Sequence, residues 1–294
     1  MTAVPEIPAP EIPALAIPAL VIAVSLALGV AMAIAWVIQR RTGNAGWVDV
    51  VWSFALGAAG VVYALYPLPA GMSHPSHATL PSGRQLLVAA LVACWSVRLG
   101  LHIAVRTVHG PEDSRYAQFR RDWGNAFQTR MFWFLQIQAA AAALLALSML
   151  LAARNPRPLS LLDIAGVGVL VASIVGEAIA DWQLQQFRAD PANHGKICEV
   201  GLWGWSRHPN YFFELLGWVA YPLFAIDFPP VYPWGWLALS APASMYWVLV
   251  HVSGIPPLEQ QMLRSRGDAF RNYQARVSAF VPLPPGPLPP KRSS

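Results

Sequence analysis

The sequence predicts an all-α, polytopic membrane protein of seven transmembrane helices, with its N-terminus outside and its C-terminus in the cytoplasm. Three observations point there. Of 294 residues, 55% are hydrophobic and only 12% charged, with a mean hydropathy of +0.42, a balance that a soluble domain of this length does not show. Apolar runs long enough to cross a hydrocarbon core, which takes about 20 residues each, stand at 15–38, 47–66, 85–105, 131–152, 161–181, 211–228 and 234–253. When these runs alternate across a bilayer, most basic residues collect on one side, as the retention of Lys and Arg on the cytoplasmic side requires.

Each element follows in order. The Pro-rich start, 1–13, repeats Glu-Ile-Pro and Ile-Pro-Ala-Leu units without a basic region. It reads as a disordered lead into a retained first helix, not as a cleaved signal. The first run ends in Arg40-Arg41, which sets the orientation. Arg106, Arg115, Arg120, Arg121, Arg130, Arg188, Lys196, Arg207 and the basic tail from Arg264 then fall inside, and only Arg84, Arg154 and Arg157 outside. The Arg154/Arg157 pair runs against the trend. The run at 211–228 contains Pro222 and Asp227, with Pro229 and Pro230 following, so a broken or re-entrant helix is the alternative there. One membrane domain, 14–281, results, with a C-terminal half from about 161 and a disordered, Pro-rich basic tail at 282–294.

Several functions are disfavoured by composition. A net charge of +5 suggests nucleic acid, yet the basic residues sit in loops and suit anionic headgroups. Cys94 and Cys198 are too few and too far apart for a metal motif and read as free thiols. Every Lys lies outside the spans, which excludes retinal attachment, and no inverted repeat supports the second alternative, a non-enzymatic transporter.

Ionisable groups at membrane depth are expensive unless paired or hydrated, and here they recur at helical spacing. Arg98, His102 and Arg106 share one face of the third span; Glu177, Asp181 and Arg188 nearly share one on the fifth; Asn210 and Glu214 share one on the sixth. Arg98 and Arg106 pairing with Glu177 and Asp181 to lock helices is the structural alternative. Taken together, the three faces predict a polar pocket open to the cytosol. Guanidinium forks match phosphate oxygens, and carboxylates accept from ribose hydroxyls or a carboxamide. The run Arg207-His208-Pro209-Asn210-Tyr211 places Pro209 at a helix start, so Arg207 and His208 precede free N–H groups and the positive end of the helix dipole.

Further segments carry a resemblance. Gly201–Glu214, Gly254-Ile-Pro-Pro-Leu-Glu259 and Phe270–Pro282 join Asn44–Trp52, Trp95–Leu99, Glu112–Tyr116 and Gly176–Phe187. Over about 40–282 they are similar to the steroid 5-alpha-reductase superfamily, and specifically to its bacterial branch, the DUF1295 group. The resemblance implies a seven-helix bundle in the bacterial inner membrane. It would bind NADPH from the cytosol and reduce a carbon–carbon double bond conjugated to a ketone in a lipophilic, lipid-like substrate, a steroid or isoprenoid enone. Carried over by position, Asp181, Arg188, Lys196, Asn210, Glu214 and Tyr273 match polar positions of the reductase cofactor pocket, and Glu177 replaces an amide. Glu259 and Arg276, in the matching tail segments, complete the cofactor candidates. The family's Gln-Glu pair for the steroid ketone has no counterpart, and Asp49 substitutes by position only.

Hydride delivery to an enone builds negative charge on the carbonyl oxygen, and a neutral Tyr or a protonated carboxylic acid can meet it. Tyr211, Tyr116, Asp49 and Glu214 are the catalytic candidates, and the residues do not choose among them. The alternative is an S-adenosylmethionine-dependent membrane methyltransferase resembling those acting on isoprenylcysteine, which share the Arg-His-Pro-x-Tyr run and a C-terminal Glu. Against it, the tail offers Glu259-Gln260-Gln261 in place of paired Glu, and the long Glu177/Asp181 stripe suits a larger cofactor.

Overall fold

A computed structural model describes residues 16–67, 80–110, 112–228 and 232–287. The expected disordered start, 1–13, and the tail from 288 lie outside the described residues. Among the described residues the fold is all helical, with one isolated bridge between Ser206 and Ser278. The chain divides into two compact units, the first ending at Arg154 and the second running from Asn155 and also taking in Ala117–Phe119.

The first unit is built on α1 (Ala16–Thr42), α2 (Gly46–Leu65), α3 (Gly83–His109) and α5 (Phe127–Arg154), with α4 (Ser114–Trp123) between the last two. On α1, Leu20, Val24, Leu28, Met32 and Ala35 are buried, while Ile22, Leu26, Val30 and Ile34 are exposed on another face. An apolar helix that exposes large aliphatic groups at helical spacing is solvated by lipid chains, not water. Inside the unit, small residues let helices approach closely. A Cβ at Gly57 would stand 2.1 Å from Ser96 Oγ, and that hydroxyl donates to Ser53 O at 2.9 Å. A capping box starts α3, where Gln85 N donates to Ser82 Oγ (3.3 Å) and Ser82 N to Gln85 Oε1 (2.8 Å).

The second unit contains α6 (Leu161–Ala189), α7 (Pro209–Ala225), α8 (Ser240–Trp247), α9 (Ile255–Arg266) and α10 (Asp268–Arg276). Helices α6 and α7 run antiparallel: Gly166 lies against Phe224, Ser173 against Gly217, and Gly176 against Phe213. Ser173 Oγ also donates to Phe213 O at 2.6 Å, a bond that is strong where no water competes.

Among the described residues, six helical segments are long and apolar enough to cross a membrane: Ala16–Thr42, Gly46–Leu65, Gly83–His109, Arg115–Arg154, Leu161–Ala189 and Pro233–Arg266. They make the protein an integral membrane protein. The run expected at 211–228 corresponds to α7, which has 17 residues and so is short of the usual span of about 20. It continues through Pro222 without a break. The interruption falls instead in the last expected span, where a 3-10 stretch (Pro233–Leu239) leads into α8 and a π turn (Val248–Val252) follows it.

The arginines at odds with the charge asymmetry have structural partners. Arg154 donates from Nε to Tyr63 O (3.1 Å) and from Nη2 to Tyr66 O (2.6 Å), closing the carbonyl end of α2. Arg157 pairs with the buried Asp227, and Asn155 donates to Phe224 O and Ala225 O at the end of α7 (3.1 and 3.2 Å).

Candidate functional site

The chemistry of the second unit begins at the loop before α7. Gly201 has φ +58, and a Cβ there would meet the Gln183 side chain at 2.3 Å, so only glycine permits this turn against α6. Gln183 Oε1 then accepts from Leu202 N (2.9 Å), and Trp203 Nε1 donates to Ala180 O (2.9 Å). The two bonds flank Asp181 and pin the loop to α6 at its level. From the tail, Tyr273 OH donates to Trp203 O at 2.5 Å. Burial pushes the Tyr273 phenol above its usual range, with nearby Cys198 and Glu199 adding to the shift, which keeps it a neutral donor.

Arg207 and His208 converge on Glu259 of α9. Arg207 Nε donates to Glu259 Oε1 at 2.7 Å, His208 Nε2 lies 3.1 Å from the same oxygen, and Gln274 Nε2 donates to Oε2 at 2.7 Å. Arg207 Nη1 also donates to the carbonyls of Gln274 and Val277. The side chains of Arg207 and Glu259 are 10% and 14% exposed, so this guanidinium is tied to interior acceptors. The His208 ring stacks on Tyr211 at 5.6 Å and 9°, and Pro209 opens α7 as expected.

The expected carboxylates line the helix pair beyond this point. Glu177 and Glu214 are buried, each next in sequence to the Gly176/Phe213 contact. Glu214 Oε1 accepts from Trp218 Nε1 at 2.9 Å. Asp181, Asn210 and Tyr211 are half-buried, whereas Arg188 and Lys196 are exposed. Arg276 forms a two-oxygen pair with Glu199 (3.0 and 2.7 Å). Of the sequence candidates, Arg207 and His208 thus meet Glu259, His208 stacks on Tyr211, Tyr273 is bonded to the loop at Trp203, and Glu177, Asp181, Asn210 and Glu214 lie on the packed α6/α7 pair. Sequence reasoning missed Gln183, Trp203 and Gln274, whose amide and indole groups do the joining and carry no charge to mark them.

The remaining candidates belong to the first unit. Asp49, in the first turn of α2, accepts from Arg115 Nη2 (2.8 Å) and from Tyr116 OH (2.6 Å). Asp113 caps α4 by accepting from Arg115 N (3.0 Å), and Arg106 reaches it at 3.4 Å. Burial would raise the Asp113 carboxyl, but the Arg115 guanidinium, its hydrogen bonds and Arg106 hold it below the usual carboxylate value. Asn44 Oδ1 and Glu112 Oε1 accept the first amides of α2, from Gly46 N (2.8 Å) and Ala45 N (3.1 Å). The Asn44–Trp52 and Glu112–Tyr116 segments are thus one cluster. Arg98 and His102 are half-buried on α3.

Fold and site together define an integral membrane protein that groups buried carboxylates and half-buried amides along a closely packed helix pair. The chain belongs to the DUF1295 family, described as a protein family of unknown function, whose profile matches residues 35–277. It is 25% identical over 280 residues to the uncharacterized protein C594.04c of Schizosaccharomyces pombe, covering 85% of this chain and 76% of that one. No solved structure matches it.

Proposed function

We propose that the protein is an integral membrane NADPH-dependent reductase of a conjugated carbon–carbon double bond in a lipid-like enone. Its site would open to the cytoplasm from a bacterial inner membrane, with the N-terminus outside. The observation that supports this reading is the close packing of α6 on α7 in the second unit: Asp181 and Glu177 on α6, and Asn210 and Glu214 on α7, share a helix pair joined at Gly176/Phe213. The resemblance to steroid 5-alpha-reductases assigns cofactor contacts to these positions.

The donor set fits a dinucleotide. Exposed Arg188 and Lys196 suit phosphates, Asp181 and Glu177 suit ribose hydroxyls, and Asn210 with Glu214 suits the carboxamide. When bound, NADPH would supply the hydride. The chain's own part is to orient the ligands, exclude water and present a donor to the developing oxyanion. Arg207 holds α9 and α10 against the loop through Glu259, and so shapes the wall without needing to touch phosphate. The Arg207/His208/Glu259 contact also supports the S-adenosylmethionine reading, because it unites the Arg-His-Pro run with a C-terminal Glu. Thermal stabilisation of purified protein by NADPH, NADH and S-adenosylmethionine, measured in parallel, separates the two. Stabilisation by S-adenosylmethionine alone sinks the reductase.

A further inference from the structure

Helices α1 and α5 of the first unit leave a groove of about 410 Å³ between them, lined by Gly29 and Ala33 on one wall and by Phe132, Gln136, Ala140 and Ala143 on the other. Its rim carries Leu26 and Val30, 66% and 60% exposed, so the groove opens onto the face that meets lipid chains. The polar side chains that line it are turned to the backbone: Ser25 Oγ donates to Val21 O (2.8 Å) and Gln136 Nε2 to Gly29 O (3.4 Å). At one end the groove closes on Phe132, whose ring meets Trp36 edge-on at 5.6 Å. Trp36 is fixed by its indole N–H on Gln128 O (2.9 Å), and the Arg40 guanidinium lies over its ring at 4.6 Å. Gly29, Ala33, Trp36 and Arg40 follow one another at offsets of four, three and four, so they form one stripe of α1. Arg40 is exposed and makes no ion pair with any described residue.

We propose that this groove binds an anionic phospholipid, with one acyl chain between α1 and α5 and the phosphate at Arg40. A gap that opens onto hydrocarbon takes hydrocarbon in, because bare walls forfeit their dispersion contacts, and these walls offer a ligand no charged group. The length fits one chain. From Trp36 to Ser25 is eleven residues, about 16 Å of helix axis, close to the roughly 15 Å of hydrocarbon in one leaflet. Trp36 then stands at the interface, where indoles are enriched, and a chain that starts at its level ends near Ser25. Charge selects the headgroup. Arg40 stands on the groove's own stripe just beyond Trp36, where a guanidinium can take phosphate oxygens. A zwitterionic lipid would bring its own cation to this arginine, and an anionic one would not. The bound chain completes the contact between α1 and α5, so the lipid stabilises the first unit by mass action. None of the groups assigned to the nucleotide takes part.

The test titrates full-length, delipidated protein in dodecyl maltoside with palmitoyl-oleoyl phosphatidylglycerol or the matching phosphatidylcholine, read by native mass spectrometry and by melting temperature. Wild type is expected to retain one phosphatidylglycerol in preference to phosphatidylcholine and to melt higher with it. Arg40→Gln should lower that preference about fivefold, the effect of one basic residue at an anionic surface, whereas Arg264→Gln, which removes an exposed charge of α9, should keep it. Ala140→Trp, at an exposed position of the groove wall, should fill the groove and abolish retention of either lipid. If that variant melts lower even without lipid, Ala33→Leu fills the groove from the other wall with the same expectation. Equal preference in wild type and Arg40→Gln, an equal loss in Arg264→Gln, or undiminished retention with the groove filled overturns the proposal. So does a dimer that Ala140→Trp dissolves while lipid binding is unchanged, which would make a second copy the occupant.

Discussion

Replacing Glu259 by Ala removes the acceptor shared by Arg207, His208 and Gln274. The side chains of Arg207 and Glu259 are 10% and 14% exposed, so the lost partner is a half-buried one, largely shielded from water. Breaking a buried ion pair on one side costs about 3–5 kcal/mol. Arg207 retains the carbonyls of Gln274 and Val277, which places the expected loss at the lower end, about 3 kcal/mol. At roughly 2–4 °C per kcal/mol, the melting temperature should fall by about 6–12 °C. The assay is thermal unfolding in detergent, followed by tryptophan fluorescence with and without NADPH. Arg207→Ala should destabilise similarly, and the double variant should fall short of the sum by about 1 kcal/mol or more, as residues in direct contact do. An unchanged melting temperature in Arg207→Ala, with nucleotide affinity selectively lost, refutes the reasoning and makes Arg207 a phosphate ligand instead.

Asp181→Asn, at a half-buried position beside the pinned loop, should weaken NADPH binding about 3–10-fold without lowering the melting temperature; equal loss of both would make Asp181 a helix-locking group. Gly176→Ala should destabilise by about 1–3 kcal/mol, because its Cβ would stand 2.3 Å from the Phe213 ring, and unfolding of the variant reads this directly. The Asp113 carboxyl is held below its usual value in the folded protein. Its contribution is therefore complete at neutral pH, where both states are ionised, and is lost as pH falls through and below the carboxylate range. Asp113→Asn should flatten the acid limb of the stability curve while wild type keeps a steeper decline; identical acid limbs count against the Arg115 and Arg106 contacts.

What the sequence disclosed and what it hid divide along physical lines. Membrane residence was legible because runs of about 20 apolar residues match the thickness of a hydrocarbon core and are costly to expose to water, and the polar stripes were legible because helical spacing sorts residues onto faces. Continuity of the sixth expected span stayed open in the sequence because Pro222 is a visible breaker, and an interior helix can absorb one when neighbouring groups take up the freed carbonyls. The 3-10 stretch and the π turn after Tyr232 arise from hydrogen-bond register, which no single residue marks. Arg207 illustrates the harder limit. As a cation before a helix start it read as an anion ligand, yet the structure surrounds it with Glu259 and two backbone carbonyls contributed from 52 to 70 residues away. Residue type reveals the chemistry a side chain can perform, but the partner that claims it is set by chain reversal at α9 and α10.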